Sequence, residues 1–251
     1  MDLDAYLGRI GYAGDPRADA ATLRAMQQAH LLHVPFENLD VHWGRPIALD
    51  EHAFHRKIVV ERRGGFCYEL NGLFAWALRE LGFKVSLLAA NVYRADGGLG
   101  GDFGHLALRV DLDRAWLADV GFGDAFREPL ALDERGPQAQ IDRVYRLRDD
   151  GDVRVVEARF PSGDWLPRYR FRDVPHPLSA FAAACDMHQT SADSPFTQNR
   201  ICTLAHAEGR TTLWNLRLIE TDLRGGKTER PLSGWTEFHA LARERFGIAQ
   251  S

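Results

Sequence analysis

Residues 62–81, RRGGFCYELNGLFAWALREL, place a thiol between a pair of glycines and an apolar-periodic run. After Cys67, the residues Leu70, Leu73, Phe74, Ala77, Leu78 and Leu81 recur at helical spacing, and Gly82 supplies a stop. Cys67 therefore stands at the N-terminus of a helix. Unpaired N–H groups and a partial positive charge there favour a thiolate and lower its pKa. The glycines allow a tight bend and leave room for a substrate. Two readings of Cys67 are open at this point: an activated nucleophile, or a small buried hydrophobe, as most free cysteines are.

The surrounding chain has 251 residues, 45% of them hydrophobic and 26% charged, with a net charge of −4. Such a composition suits one large domain or two to three small units sharing cores. The acidic balance argues against a nucleic-acid partner. No apolar run is long enough to cross a membrane, and MDLDAYLGRIGY lacks the basic start and apolar core of a signal peptide. Three cysteines, widely spaced, do not make a disulfide framework, so Cys185 and Cys202 read as buried apolar residues in a reduced, cytoplasmic protein.

Upstream of the glycines the chain reads mostly helical. Leu23, Met26, Ala29 and His30 share a helical face, and Pro35 ends that run. From Phe83 onward short strands take over: KVSLLAANVYRA, HLALRVDLDRAWLADVGF, RVYRLRDDGDVRVVEARF and WLPRYRFRDV, with RDDGDV as a hairpin turn. They predict a small antiparallel sheet or barrel. LSAFAAACDMHQTS reads as a short helix. RICTLAH and TTLWNLRLIET read as two strands leading to a turn, LRGGKTERPL. A last helix carries Phe238, Leu241, Ala242 and Phe246.

A nucleophilic thiol needs a base. His105 opens the alternating strand HLALRV, and Asp119 lies among apolar neighbours in the next one, AWLADVGFG. A hairpin about Asp113-Arg114 brings both residues to its open end. There the carboxylate fixes the imidazole tautomer and stabilises the imidazolium. Asp119 as a plain turn residue at a strand end is the competing reading. The pairs His30/His33 and His52/His55 have helical spacing, but neither has the glutamate of a zinc protease and no CxxC exists, so no metal is expected.

The segments VPFENLDV, RRGGFCYELNGLF, GHLALRV, ADVGFGD and SPFTQNRICTL, in that order, resemble the arylamine N-acetyltransferases. The likeness runs from about residue 5 to the C-terminus. The 38 residues from Cys67 to His105 match the family, and the 14 from His105 to Asp119 are close to it. The resemblance implies a Cys67–His105–Asp119 triad in an α+β fold with a cysteine-protease-like catalytic core. That fold has three regions: a helical bundle (1–83), an antiparallel β-barrel (84–190) and an α/β lid (191–251). It implies acetyl-CoA as co-substrate, with no permanently bound cofactor. The acceptors would be arylamines, arylhydrazines or arylhydroxylamines.

The resemblance also implies that Phe36, Gly104 and Phe122 shape the acceptor site and that Gly101, Gly104 and Thr203 contact CoA. Lys227, in a glycine-rich turn, adds a charge for its phosphates, since no P-loop pattern is present. A buried Arg63–Glu37 pair would brace the cysteine turn. The Cys67 N–H is one candidate oxyanion donor. A thiol acyl hydrolase, a transglutaminase-like enzyme or an amide synthase would use the same triad. A binder of CoA or aromatic ligands that kept the fold is a third class.

Overall fold

The computed structural model describes residues 1–160 and 163–249. Asp2 and Asp19 each start a helix by accepting an N–H three residues on, from Ala5 at 3.0 Å and Thr22 at 2.8 Å. The helices they start, α1 (Leu3–Ile10) and α2 (Ala20–His33), pack with α4 (Glu51–His55) around α5 (Cys67–Glu80), whereas α3 (Leu39–Trp43) puts Leu39 and Trp43 into the core beneath the second sheet. A π-helical turn, Arg56–Val60, follows α4. The sequence pattern anticipated one buried stripe on α5. Instead every residue from Cys67 to Leu78 is buried, so this helix is the centre of the bundle.

An eight-stranded antiparallel sheet follows. It comprises β2 (Lys84–Val92), β3 (His105–Asp111), β4 (Ala115–Ala118), β5 (Leu130–Ala131), β6 (Gln138–Ala139), β7 (Val144–Asp150), β8 (Val153–Arg159) and β9 (Leu166–His176), in the order 5-4-3-2-9-8-7-6. Its two edge strands meet through side chains. The Gln138 amide accepts from the Ala131 N–H at 2.8 Å and donates to its carbonyl at 3.1 Å, imitating a ladder rung. Gln140 does the same for Glu128. The sheet thereby closes nearly into a barrel and leaves little free edge. Its interior holds Leu88, Leu117, Phe126, Tyr145, Val156, Tyr169 and Phe171.

A short 3₁₀ turn (Leu178–Phe181) leads into α6 (Ala182–Thr190), then α7 (Pro195–Gln198). The second sheet has the order 1-10-11-12-13. It contains β10 (Ile201–His206), β11 (Gly209–Trp214), β12 (Arg217–Asp222) and β13 (Lys227–Pro231). Its first strand, β1 (Phe36–Glu37), comes from the helical part of the chain and pairs Phe36 with Thr203 and Glu37 with Cys202. Helix α8 (Trp235–Phe246) covers this sheet with Phe238, Ala242 and Phe246. The last two residues of the expected 191–251 region lie outside the described residues.

Three expectations differ from this. TTLWNLRLIET is two strands, because Asn215 turns the chain in a left-handed conformation (φ 48°) and exchanges hydrogen bonds with the Arg200 backbone. Only residues 223–226 of LRGGKTERPL form a turn. Lys227–Pro231 is an exposed edge strand whose polar residues hid it from the hydrophobic pattern. Asp119 lies just past the end of β4 rather than within it.

His30 is fully buried, with the Tyr6 hydroxyl 2.8 Å from its Nδ1. Burial, reinforced by Arg9, pushes its pKa down to about 3. In the unfolded chain it titrates near ~6.5. Between these values the unfolded state holds a proton that the folded state lacks, so stability falls as pH drops, by about 1.4 kcal/mol per unit. Urea unfolding between pH 6.5 and 5 is expected to show this slope, and His30→Gln to lower it by about one proton. An unchanged slope in the variant would show that His30 is not the group responsible.

Candidate active site

Cys67 is the first residue of α5, and the turn before it is fixed by backbone crowding. A Cβ on Gly64 would lie 2.0 Å from the Pro35 carbonyl oxygen, so no larger residue fits there. The sequence reading gave the space at the glycines to a substrate. The structure fills it with protein: Pro35 against Gly64 and the Glu69 side chain against Gly65. Glu69 reaches back to accept from the Phe66 N–H at 3.0 Å, satisfying one of the helix's orphan donors.

Beneath this turn lies a group of buried charges. Arg63 donates to Glu37 Oε1 through Nη2 at 2.6 Å and through Nε at 3.0 Å, so the expected pair is present. It belongs to a larger cluster. Arg63 also reaches Asp40 at 3.0 Å, and Lys57 contacts Asp40 at 2.8 Å and Glu69 at 2.7 Å. Trp43 stacks on the Arg63 guanidinium, 4.6 Å from its ring centre. Burial alone would push Lys57 down, but Glu69, Glu37 and Asp40 outweigh it and hold the ammonium charged. Burial raises the Glu69 carboxyl even against Lys57. Lys57, Asp40 and Glu69 went unnoticed in the sequence because charges on helices look like solvated faces.

The candidate base and its orienter come from the barrel and the loop after β4. Strands β3 and β4 pair Leu108 with Ala118 and Asp111 with Ala115 about a turn at 112–114, which brings His105 and Asp119 together. His105 Nε2 lies 2.7 Å from Asp119 Oδ2. A carboxylate only accepts, so Nε2 carries the hydrogen and Nδ1 is the basic nitrogen. The other oxygen, Oδ1, accepts from Asn71 Nδ2 at 2.8 Å and from the Gly121 N–H at 2.9 Å. Asn71 also donates to the Leu106 carbonyl and accepts from the Val120 N–H. One amide thus ties α5, β3 and the loop after β4 together. Asn71 follows Cys67 by four residues on one helix face, a spacing that could have singled it out. Gln27 accepts from the Asp119 N–H.

Gly121 lets that loop lie on the helix start, since a Cβ there would sit 2.8 Å from Cys67 Cα. The His105 ring is boxed by Phe122 and Tyr169, with centroids at 5.2 and 5.1 Å. Cys67, His105 and Asp119 are 3%, 2% and 1% exposed.

Cys67 and His105 line one cavity of about 560 Å³, a volume suited to a small-molecule ligand. Phe36, Gly104, Phe122, Thr203 and Lys227 line it too. Gly101 does not. It sits in the exposed loop before His105, where its carbonyl accepts from the Gly104 N–H. The helix start was expected to favour the thiolate. Burial instead raises the Cys67 pKa, outweighing the backbone N–H groups of Leu106 and Tyr68 that favour the thiolate. A lone thiolate is costly here, so the thiol needs a cation formed beside it.

Residues 19–251 match a family profile described as N-acetyltransferase. The chain is 34% identical over 274 residues to the arylamine N-acetyltransferase, pineal gland isozyme NAT-3, of Gallus gallus, with 99% of this chain and 94% of that protein covered. It is 32% identical to the arylamine N-acetyltransferase of Escherichia coli (strain K12), over 98% of this chain and 88% of the other. The fold matches the arylamine N-acetyltransferase of Mycobacterium abscessus at a TM-score of 0.93, with 31% identity and 100% and 91% of the two chains covered. It matches the Mycobacterium marinum arylamine N-acetyltransferase, solved in complex with CoA, at a TM-score of 0.92 with 31% identity, over 98% and 93% of the chains.

Replacing Lys57 leaves the buried Glu69 carboxylate without its cation and takes one of two cations from Asp40. Lys57→Met is expected to destabilise the fold by about 3–5 kcal/mol in chemical denaturation. Iodoacetamide labelling of Cys67 should quicken in step, as the turn loosens and the thiol gains solvent access. A variant of wild-type stability would mean that the cluster does not hold the turn.

Proposed function

Since this chain belongs to the arylamine N-acetyltransferase family, we propose that Cys67, His105 and Asp119 carry its reaction. The observation that supports them most is the 2.7 Å His105–Asp119 contact beside Cys67 at one cavity. The enzyme moves an acetyl group from acetyl-CoA to the nitrogen of arylamines and arylhydrazines, or to the oxygen of arylhydroxylamines. It works by a ping-pong mechanism through an acetyl-cysteine. Acetyl-CoA is a co-substrate and no permanently bound cofactor is used. The fold is α+β, with a nearly closed antiparallel barrel and a cysteine-protease-like catalytic core. Among the described residues no helix is long and apolar enough to cross a membrane.

His105 Nδ1 takes the proton of Cys67 Sγ, and the imidazolium is stabilised through Nε2–H by Asp119. The thiolate attacks the acetyl carbonyl, and the Cys67 N–H at the helix start donates to the oxyanion. The carbon–sulfur bond to CoA breaks, and CoA leaves as a thiol with the proton from His105. The acceptor nitrogen then attacks acetyl-Cys67. Cys67 departs as thiolate, and His105 receives the amine proton. Phe36, Phe122 and Gly104 hold the acceptor, while Thr203 and Lys227 meet the donor. Gly101 has less support, as it lies outside the cavity lining. Arg63 and Glu37 position the cysteine turn.

The proposed regions 1–83, 84–190 and 191–251 are supported by the barrel strands running from 84 to 176 and by the second sheet beginning its main run at 201. A cytoplasmic location is consistent with three free cysteines.

The test is mass spectrometry after mixing with acetyl-CoA and no acceptor. One stable acetyl group on Cys67 is expected, and none in Cys67→Ala. Asp119→Asn should slow this acylation by up to about 10⁴-fold, as the equivalent change does in a serine triad, while circular dichroism stays native. Acetylation at Cys202 instead would overturn the assignment of the nucleophile. CoA release without accumulation of acetyl-Cys67 would favour the hydrolase.

A further inference from the structure

The loop after β4 carries the Asp119 carboxylate, yet neither sheet holds it. Strand β4 pairs with β3 only as far as Ala118 and with β5 only through Trp116 and Leu117. Among the described residues, no backbone–backbone hydrogen bond reaches residues 119–128. Side chains meet the loop's polar groups instead. Asn71 accepts from the Val120 N–H, Arg143 and Arg168 donate to the Asp124 carbonyl, and Gln140 accepts from the Arg127 and Glu128 N–H groups. A loop held this way keeps one conformation only while those side chains are in place.

Gln27 is the side chain that spans the loop. Its Oε1 accepts from the Asp119 N–H at 3.2 Å, and its Nε2 donates to the Phe126 carbonyl at 3.2 Å. Only one orientation of the amide makes both bonds. Gln27 is wholly buried on the face of α2 that also carries Leu23, Met26 and His30. An amide in that position is costly unless it is bonded. Its neighbours extend the contact: Arg24 and Gln28 reach Glu128 at 2.8 and 2.9 Å. Helix α2 therefore follows the loop from Asp119 to Glu128.

Between its two bonds to Gln27 the loop touches the other members of the triad. Gly121 lies against Cys67, where a Cβ would come within 2.8 Å of Cys67 Cα. The Phe122 ring meets the His105 ring edge-on at 5.2 Å, and Asp119 Oδ2 lies 2.7 Å from His105 Nε2. Asn71 holds the Asp119 carboxylate through Oδ1, whereas Gln27 holds the backbone that carries it.

We propose that Gln27 is a positioning residue for the acetyl transfer: by holding the Asp119 N–H it sets where the carboxylate meets His105, and so how readily Cys67 and His105 form their ion pair. The inference rests on the transferase reading above. A glutamine that merely fastened α2 to the barrel would matter for stability and leave the chemistry alone.

The test compares three variants of the full chain, each checked for native circular dichroism. Gln27→Met keeps the side-chain length and loses both bonds. Gln140→Met frees two N–H groups of the same loop without touching Asp119. Gln27→Glu keeps an oxygen for the Asp119 N–H. Two quantities are read: the rate of Cys67 acylation by 4-nitrophenyl acetate, and the pH dependence of Cys67 alkylation by iodoacetamide. Gln27→Met is expected to slow acylation by about 10–100-fold, the scale of a misplaced catalytic group. Its alkylation profile should move to higher pH, because a displaced Asp119 stabilises the imidazolium less. Gln140→Met should leave both quantities at the wild-type level, and Gln27→Glu should stay within about threefold of the wild-type rate, the scale of one neutral hydrogen bond. A folded Gln27→Met with the wild-type rate and profile overturns the proposal. Equal changes in Gln140→Met overturn it as well, since the loop as a whole would then be responsible. If Gln27→Met does not fold, Gln27→Glu decides: a rate near the wild-type value supports the proposal, and a loss of about tenfold or more overturns it. Failure of the transferase reading would appear in the wild-type enzyme itself, as no acetyl-Cys67 by mass spectrometry. A wild-type enzyme that acylates normally beside an unaffected Gln27→Met refutes this inference alone.

Discussion

The Arg63 guanidinium between Glu37 and Asp40 is the contact on which the other parts converge. Glu37 belongs to a two-residue strand that pairs with Cys202 in the second sheet. Asp40 lies in the first turn of the next short helix, and Lys57 carries the same cluster on to Glu69 in the first turn of the central helix. Five charged side chains therefore connect the second sheet, the glycine turn and the cysteine helix. Charges at this depth are costly singly and tolerable only in a complete set. Their geometry is all-or-none, which suits a turn that must present one sulfur atom in one place. Hydrophobic contacts alone would leave that turn free to adjust, because apolar packing is non-directional.

The same logic explains what was legible in the sequence. The central helix was readable from its period, and the barrel strands from alternation and from turn chemistry such as Gly151 between β7 and β8. Cys67 and Asp119 stood out as a thiol at a helix start and a carboxylate among apolar residues, but position left each with a second reading, and the family resemblance is what joined them with His105. Asn71 and Gln27 did not stand out. A buried amide is invisible until its partners are known, and its partners here lie 35 to 92 residues away. The edge strand at Lys227–Pro231 was missed for the opposite reason. Nothing buries it, so no hydrophobic pattern marks it. The glycines were noticed, yet their role was misassigned. Position in sequence does not say whether a substrate or a carbonyl oxygen occupies the space beside them.

The thiol illustrates how two correct principles can compete. A helix N-terminus favours an anion, but that effect is worth up to about 2 kcal/mol in partly buried geometries. Taking a charged group fully out of water costs several kcal/mol, and Cys67 is 3% exposed. Burial wins, which is why the pKa rises rather than falls. The consequence is functional. In the proposed triad a thiolate too costly to exist alone would form as an ion pair, so its nucleophilicity would depend on His105 and on Asp119 keeping the imidazole tautomer fixed. Asn71 then gains a role beyond packing, because it holds the Asp119 carboxylate against the same helix that presents Cys67.

The position of the cavity follows from where its walls come from. Cys67 belongs to the bundle, His105 and Phe122 to the barrel and the loop after β4, and Thr203 and Arg210 to the second sheet. Phe36 stands at the junction. Its backbone pairs with Thr203 on one side and bridges Gly65 on the other, so it lines the cavity from a fixed strand. A site assembled from three regions can hold its reacting atoms rigidly only if those regions are tied together near it. Here the ties, Arg63–Glu37 and Asn71–Asp119, are buried and none of the four residues lines the cavity. Both substrates of a ping-pong cycle have to reach the same sulfur in turn. One cavity of about 560 Å³ is in scale with one ligand at a time. The acetyl group therefore has to wait on the protein while CoA leaves. A buried cysteine walled by phenylalanine is suited to that interval, because water is kept from the thioester until an aromatic amine displaces it.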